Sequence, residues 1–262
     1  MTARTLPALD PDLVTGLKRL KLAAMRRLGP EVLHTAKTQR WTPEEVLRTL
    51  VDAEIAARDA SNTRARLRTA GFPVTKTLDE FNLTVSSIPQ ATFDYLASLE
   101  WIRATENLCL VGPAGTGKSH MLIALGHAAV TAGLRVRYFA AADLVDTLYR
   151  GIADNTVARQ IDTILRADLV IVDELGFAPL DLQGGQLLFR FIAAAYERRS
   201  LGIASHWPFD AWGRFLPEHT TATSLLDRLL HHAVVVVTEG DSYRMREARQ
   251  KGGRRPTKPS PP

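Results

Sequence analysis

The sequence predicts an α/β chain, a parallel sheet flanked by helices, with a small all-helical domain ahead of it. Short apolar runs alternate with helical stretches after Asn107, the pattern of parallel strands joined by crossover helices. One of those runs leads straight into Gly112-Pro113-Ala114-Gly115-Thr116-Gly117-Lys118-Ser119, a glycine-rich loop of the kind that opens a helix. Between Leu13 and about Arg68, apolar residues instead recur at helical spacing.

In the N-terminal part, Leu17, Leu20, Leu22 and Met25 mark one helical face, and Val46, Leu47, Leu50, Val51 and Ile55 another. Trp41-Thr42-Pro43-Glu44-Glu45 reads as a helix start. Thr42 caps, Pro43 takes the first position, and Glu45 three residues after the cap completes a reciprocal capping box. Gly71-Phe72-Pro73 ends the helical run, and the stretch to about Gln90 has no sustained period, so it is expected to be a connector. Strands are expected near Leu108 to Val111, Val136 to Phe139, Leu169 to Asp173, Leu201 to Ala204 and Ala233 to Thr238. From Arg244 onward, Arg, Lys and Pro dominate, too little apolar material to bury, and about the last ten residues are expected to be disordered. The expected division is a helical domain over 1–70, a linker over 71–90, the α/β domain over 91–243 and a basic tail over 244–262.

Composition is that of an ordinary globular chain: 262 residues, 45% hydrophobic and 23% charged. The formal charge of +5 favours an acidic partner. Cys109, the single cysteine, sits among apolar neighbours and is read as a buried thiol. No apolar run reaches the roughly 18 residues of a membrane span, and Arg4, Asp10 and Asp12 interrupt the start, so a cytoplasmic protein without membrane contact is expected.

The glycine-rich loop matches the phosphate-binding pattern at every fixed position, between an apolar strand and a helix. Its glycines let backbone N–H groups face phosphates, and the positive end of the following helix adds to the attraction. Lys118 would meet the β and γ phosphates of ATP, and the Ser119 hydroxyl would meet Mg²⁺. Leu169-Val170-Ile171-Val172-Asp173-Glu174 supplies the other half of such a site: Asp173 for the Mg²⁺ shell, and Glu174 to orient and deprotonate an attacking water.

Taken with Asp173-Glu174-Leu175-Gly176-Phe177, Tyr196-Glu197-Arg198-Arg199, Leu226-Asp227-Arg228-Leu229-Leu230-His231-His232 and Ser242-Tyr243-Arg244, the chain resembles the IstB-type AAA+ ATPases. These are helpers of insertion-sequence transposases, related to the helicase loader DnaC. Phe72-Pro73 and Lys76-Thr77-Leu78 before Phe81 extend the likeness toward the N-terminus. The resemblance implies an AAA+ P-loop domain with ATP between neighbouring subunits of a homo-oligomer. It also implies Arg228 as the finger reaching the next subunit's γ-phosphate and Arg244 as a second sensor-like arginine. Where the family carries Thr-Ser-Asn at the end of its sensor strand, this chain has Ala204-Ser205-His206, so His206 would take the sensor position as a neutral imidazole.

Basic residues gather at Lys18, Arg19, Lys21, Arg26 and Arg27, between Arg58 and Arg68, and in the tail. A role in tracking the phosphates of duplex DNA follows as an expectation, with weak sequence preference because no recognition-helix signature is present. The function expected is therefore an ATPase that oligomerises on DNA and activates or targets a partner transposase of the IstA type; the alternative is a DnaC-like helicase loader. His231 and His232 are not expected to hold a metal, since adjacent residues on a helix point in different directions and no carboxylate or cysteine completes a ligand set. Trp207, Phe209 and Trp212 are expected to pack within their own domain.

Overall fold

The computed structural model describes residues 8–240, 242, 243 and 245. The chain divides into two compact units, one ending at Ala65 and the other beginning at Arg66.

The first unit is helical. Helices α1 (Pro11–Arg19) and α2 (Ala23–Gln39) precede α3, whose full range is Pro43–Ala70. Asp10 caps α1 by accepting from the backbone of Asp12 and Leu13. At the start of α3 the Thr42 N–H donates to Glu45 Oε2 at 2.6 Å and the Glu45 N–H to Thr42 Oγ1 at 3.3 Å, the reciprocal pair that the sequence predicts. Glu54 is a buried carboxylate, and two otherwise unpaired N–H groups at the head of α2 satisfy it, those of Ala24 at 2.8 Å and Met25 at 3.1 Å. Arg58 adds an ion pair at 3.2 Å.

In the second unit, α4 (Gln90–Ser98) and α5 (Glu100–Arg103) lead into five strands. These are β1 (Asn107–Val111), β2 (Val136–Ala140), β3 (Leu169–Leu175), β4 (Ser200–Ser205) and β5 (Ala233–Val237). They form one parallel sheet in the order β2-β3-β4-β1-β5. Between them run α6 (Lys118–Thr131), α7 (Ala141–Arg150), α8 (Val157–Ile164), α9 (Leu182–Ala195) and α10 (His219–Leu230). Alternate side chains of each strand face opposite ways. Leu108, Leu110, Leu169 and Ile171 bury against α4, α5 and α6; Cys109, Val170, Val172 and Ile203 bury against α7 to α10. Covering both faces explains why the central strands are apolar throughout. Burial pushes the Cys109 thiol up to about 12, so it is inert at neutral pH.

Residues 71–90, expected as a connector, pack with this second unit. Phe72, Leu78, Phe81 and Leu83 rest on the α6 side of the core, because a short period-free stretch can still bury scattered apolar side chains.

Asn107 locks the lower edge of the sheet. Its Nδ2 donates to the Leu229 carbonyl at 2.9 Å, its Oδ1 accepts from the Leu201 N–H at 2.9 Å, and its own N–H donates to the His232 carbonyl at 2.7 Å. The side chain is buried, so Asn107→Ala leaves a buried donor and a buried acceptor unpaired. A loss of about 2–4 kcal/mol of stability is expected in urea unfolding; a change below about 0.5 kcal/mol would contradict this role.

Candidate nucleotide site

Chemistry on a parallel sheet gathers beyond the C-terminal ends of its strands, where the fully buried apolar ladder stops. Here β1 runs into the glycine-rich loop, β3 ends in Asp173-Glu174-Leu175, and β4 ends just before His206.

The loop is shaped by glycine. Gly112, Gly115 and Gly117 hold φ of +146°, +84° and +95°, a region that side chains disfavour. A Cβ on Gly112 would lie 2.0 Å from the Thr238 carbonyl oxygen, and one on Gly115 would lie 2.2 Å from Ser242 Oγ. The loop is thus cradled by the segment after β5. Thr238 donates its N–H to the Val111 carbonyl at 2.7 Å, its Oγ1 lies 2.7 Å from Thr116 Oγ1, and the Tyr243 N–H reaches the Gly115 carbonyl at 3.0 Å. Phe81 closes another side, since a Cβ on Gly117 would meet its ring at 3.1 Å.

Lys118 opens α6 and is buried, its Nζ donating to the Gly112 and Pro113 carbonyls at 2.6 Å each. Next to it, Ser119 Oγ donates to Asp173 Oδ1 at 3.0 Å, joining the loop helix to β3. Asp173 is 2% exposed. Pairing of β3 with β4 skips a residue between Val172 and Leu175, a bulge, and Glu174 sits there with φ of +59°. A bulge re-aims side chains, and Glu174 turns out to solvent beside its buried neighbour. An ammonium at the head of a glycine loop suits a polyphosphate. A hydroxyl and a carboxylate side by side suit a hard cation such as Mg²⁺. The cradle and the donor set therefore fit a nucleoside triphosphate with its cation.

His206 is half-buried, its ring 4.7 Å from that of Trp207. Burial and the Lys118 charge both hold its imidazole below the ordinary value of 6.5. The coupling places His206 within electrostatic reach of the loop lysine.

Residues 15–251 match the family of IstB-like ATP binding proteins. The chain belongs to that family. It is 34% identical over 237 residues to a Pseudomonas aeruginosa protein named as the ATP-binding protein of insertion sequence IS21, covering 90% of this chain and 89% of that one. A Geobacillus stearothermophilus relative, named for insertion sequence IS5376, is 32% identical over 232 residues, covering 88% and 92%. Among solved structures, AMPPCP-bound DnaA from Aquifex aeolicus superposes with a TM-score of 0.51 at 20% identity, over 67% of this chain and 54% of that one. DnaI superposes with 0.51 at 16%, over 67% and 94%. These likenesses show the fold, the AAA+ P-loop arrangement. The IstB-like chain is an ATP-binding protein.

Arg228 is not brought to this site within one chain. It lies on α10, where its guanidinium covers the Phe189 ring at 5.0 Å and donates to the Ser224 carbonyl at 3.0 Å. The turn after α10 feeds β5 at the end of the sheet where Asn107 begins β1. The five residues of β1 thus separate that end from the loop, about 16 Å at about 3.3 Å per residue.

His231 and His232 lie in the turn after α10 with ring centroids 4.1 Å apart, so they do not point apart as helix neighbours would. Glu197 joins them, and the three exposed residues bring one ligand atom each within 4.8 Å of one another. The carboxylate arrives through tertiary folding, from the turn after α9. Tyr196 Oη lies 2.7 Å from His231 Nδ1 and Glu197 Oε1 lies 4.0 Å from His232 Nε2. Trp207 and Trp212 pack as expected: Trp212 is fully buried, with its indole N–H on the Trp207 carbonyl, and the Trp207 indole N–H on the Gly176 carbonyl. Arg244 and residues 246–262, including the basic tail, lie outside the described residues. Sequence reading missed Thr238 and Tyr138. Thr238 stands two residues before a glycine in Thr238-Glu239-Gly240, a weak turn signal, and Tyr138 reads as an ordinary strand aromatic.

Histidine titration followed by NMR tests the His206 environment. Its midpoint is expected below 6.5 and should rise in Lys118→Met. On unfolding, the freed imidazole takes up its proton at a higher pH than the folded one, so the stability contributed by neutral His206 is complete above 6.5 and is lost as pH falls below it. A midpoint at or above 6.5 in the wild type would contradict the packing.

Proposed function

We propose that the chain is an ATPase that assembles as a homo-oligomer on duplex DNA and activates or targets a partner transposase, ATP hydrolysis controlling the assembly. The observation that carries the hydrolytic part is the Ser119–Asp173 contact at 3.0 Å with exposed Glu174 beside it. Loop, cation ligands and a candidate base meet at one edge.

In this reading the loop from Gly112 to Ser119, Pro113, Ala114 and Thr116 included, wraps the phosphates. Lys118 carries the charge of the β and γ groups, and Ser119 and Asp173 hold the Mg²⁺ side. Bound there, Mg²⁺ would neutralise charge on the phosphate oxygens. Glu174 orients and deprotonates water, and neutral His206 hydrogen-bonds the γ-phosphate or that water. Arg228 acts on the ATP of a neighbouring copy, a reading supported by its place at the far end of the sheet. Relatives named for insertion sequences support transposition as the setting and a transposase as the partner.

DNA contact is assigned to exposed cations of the first unit, Lys18, Arg19, Lys21, Arg26, Arg27, Arg58 and Arg64. Because phosphate contacts release counterions, affinity for duplex DNA is expected to fall by about 10³-fold or more between roughly 50 and 200 mM salt if six or more of them engage. A flat response in fluorescence anisotropy would sink this assignment.

ATP turnover with and without duplex DNA tests the shared site. Glu174→Gln and Arg228→Ala are each expected to lower turnover by about 100-fold or more. Mixed together, they should recover activity at the interfaces where intact Glu174 meets intact Arg228, roughly a quarter of all interfaces under random head-to-tail association. Full activity of Arg228→Ala alone, or no recovery on mixing, would exclude the shared arrangement.

A further inference from the structure

Asp173 carries a carboxylate that water hardly reaches, and three donors surround it. Ser119 Oγ and the Glu174 N–H reach Oδ1 at 3.0 and 2.8 Å. The third donor comes from another strand: Tyr138 Oη reaches Oδ2 at 2.9 Å. In the β2–β3 register Ala140 pairs with Asp173, so Tyr138, two residues earlier, lies on the same face of the sheet. Its ring is half-buried and sits 6.1 Å from Phe72 in a tilted pair, a contact that Phe could also make. Burial and the Asp173 charge push the phenol well above its ordinary value, so Tyr138 stays a donor throughout the working pH range.

A carboxylate offers about four lone-pair positions. Two on Oδ1 are filled by Ser119 and Glu174, and Tyr138 takes one on Oδ2, which leaves a single position on Oδ2. The terminal torsion of an aspartate is otherwise broad and soft. A donor on each oxygen fixes the plane of the group, and with it the direction in which the last lone pair points.

We propose that Tyr138 is a positioning residue that orients the Asp173 carboxylate toward the divalent cation of the bound nucleotide. The proposal rests on the reading of Ser119 and Asp173 as the cation side of the site. It makes the phenol hydroxyl specific to one part of the binding equilibrium. Nucleotide binding without a cation draws on the loop and Lys118 and needs no oriented carboxylate. The gain from adding Mg²⁺ does need it. Partners behind a metal-facing group change metal affinity by about 10- to 100-fold when removed; since two donors remain on Asp173, the lower end applies.

The test titrates Mg²⁺ into the full-length protein with a fluorescent, non-hydrolysable ATP analogue, beginning in EDTA. It uses the wild type, Tyr138→Phe, Asp173→Asn and the double variant, with thermal midpoints as the control on folding. Tyr138→Phe is expected to bind the analogue normally in EDTA and to need about tenfold more Mg²⁺ for half of the Mg²⁺-dependent gain. The double variant should be no worse than Asp173→Asn alone, because the phenol acts through that carboxylate. A Tyr138→Phe curve that overlies the wild type while Asp173→Asn is shifted overturns the role of Tyr138 and leaves the Asp173 reading standing. Equal weakening in EDTA and in Mg²⁺ overturns it too, since a packing defect would act on both. If Asp173→Asn itself titrates like the wild type, the cation-side reading fails and the proposal goes with it.

Discussion

A buried carboxylate is tolerated only where donors replace the water it has lost, and Asp173 imposes that condition on everything around it. One donor is the hydroxyl of Ser119, which fixes where α6 begins relative to β3. Another is the N–H of Glu174, which is available because the strand bulges there and sets Glu174 in a left-handed conformation. The third, Tyr138, ties in the edge strand. Phosphate loop, β3 and sheet edge are thereby referred to a single anion. Strain at Glu174, of order 1–3 kcal/mol for a side chain held in that region, is offset by the packing on both sides of the bulge.

Much of this was legible in the sequence, and for a physical reason. Fully covered parallel strands leave apolar runs that cannot be mistaken for half-exposed ones, so all five strands read out within a residue or two. Glycines with forced geometry advertised the loop, and the Thr42–Glu45 pair advertised a helix start, because both depend on neighbours within a few positions. What depends on distant neighbours was silent. Glu197 meets His231 and His232 across 34 and 35 positions of chain, and Tyr138 meets Asp173 across 35. Phe81 on Gly117 and Thr238 on Gly112 are likewise products of folding, and the packed state of residues 71–90 follows from the same kind of contact.

His206, just past the end of β4, brings more than hydrogen-bonding shape to the edge of the site. An amide has no titration near neutrality; an imidazole does, and this one is depressed by burial and by Lys118. The cation that favours phosphate therefore also keeps the imidazole neutral, so two features of the site are linked through one charge.

The separation of Arg228 from the phosphate loop gives each protomer a front and a back. If Arg228 serves the ATP of a neighbouring copy, units of that kind would join head to tail, with the joint repeating in one direction only. An open chain of such units would always carry one unpaired front and one unpaired back, so it would hold one completed site fewer than it has members; closure into a ring would remove the deficit. Growth and disassembly of an open array would then be unequal at its two ends, and the incomplete end would retain its nucleotide longest.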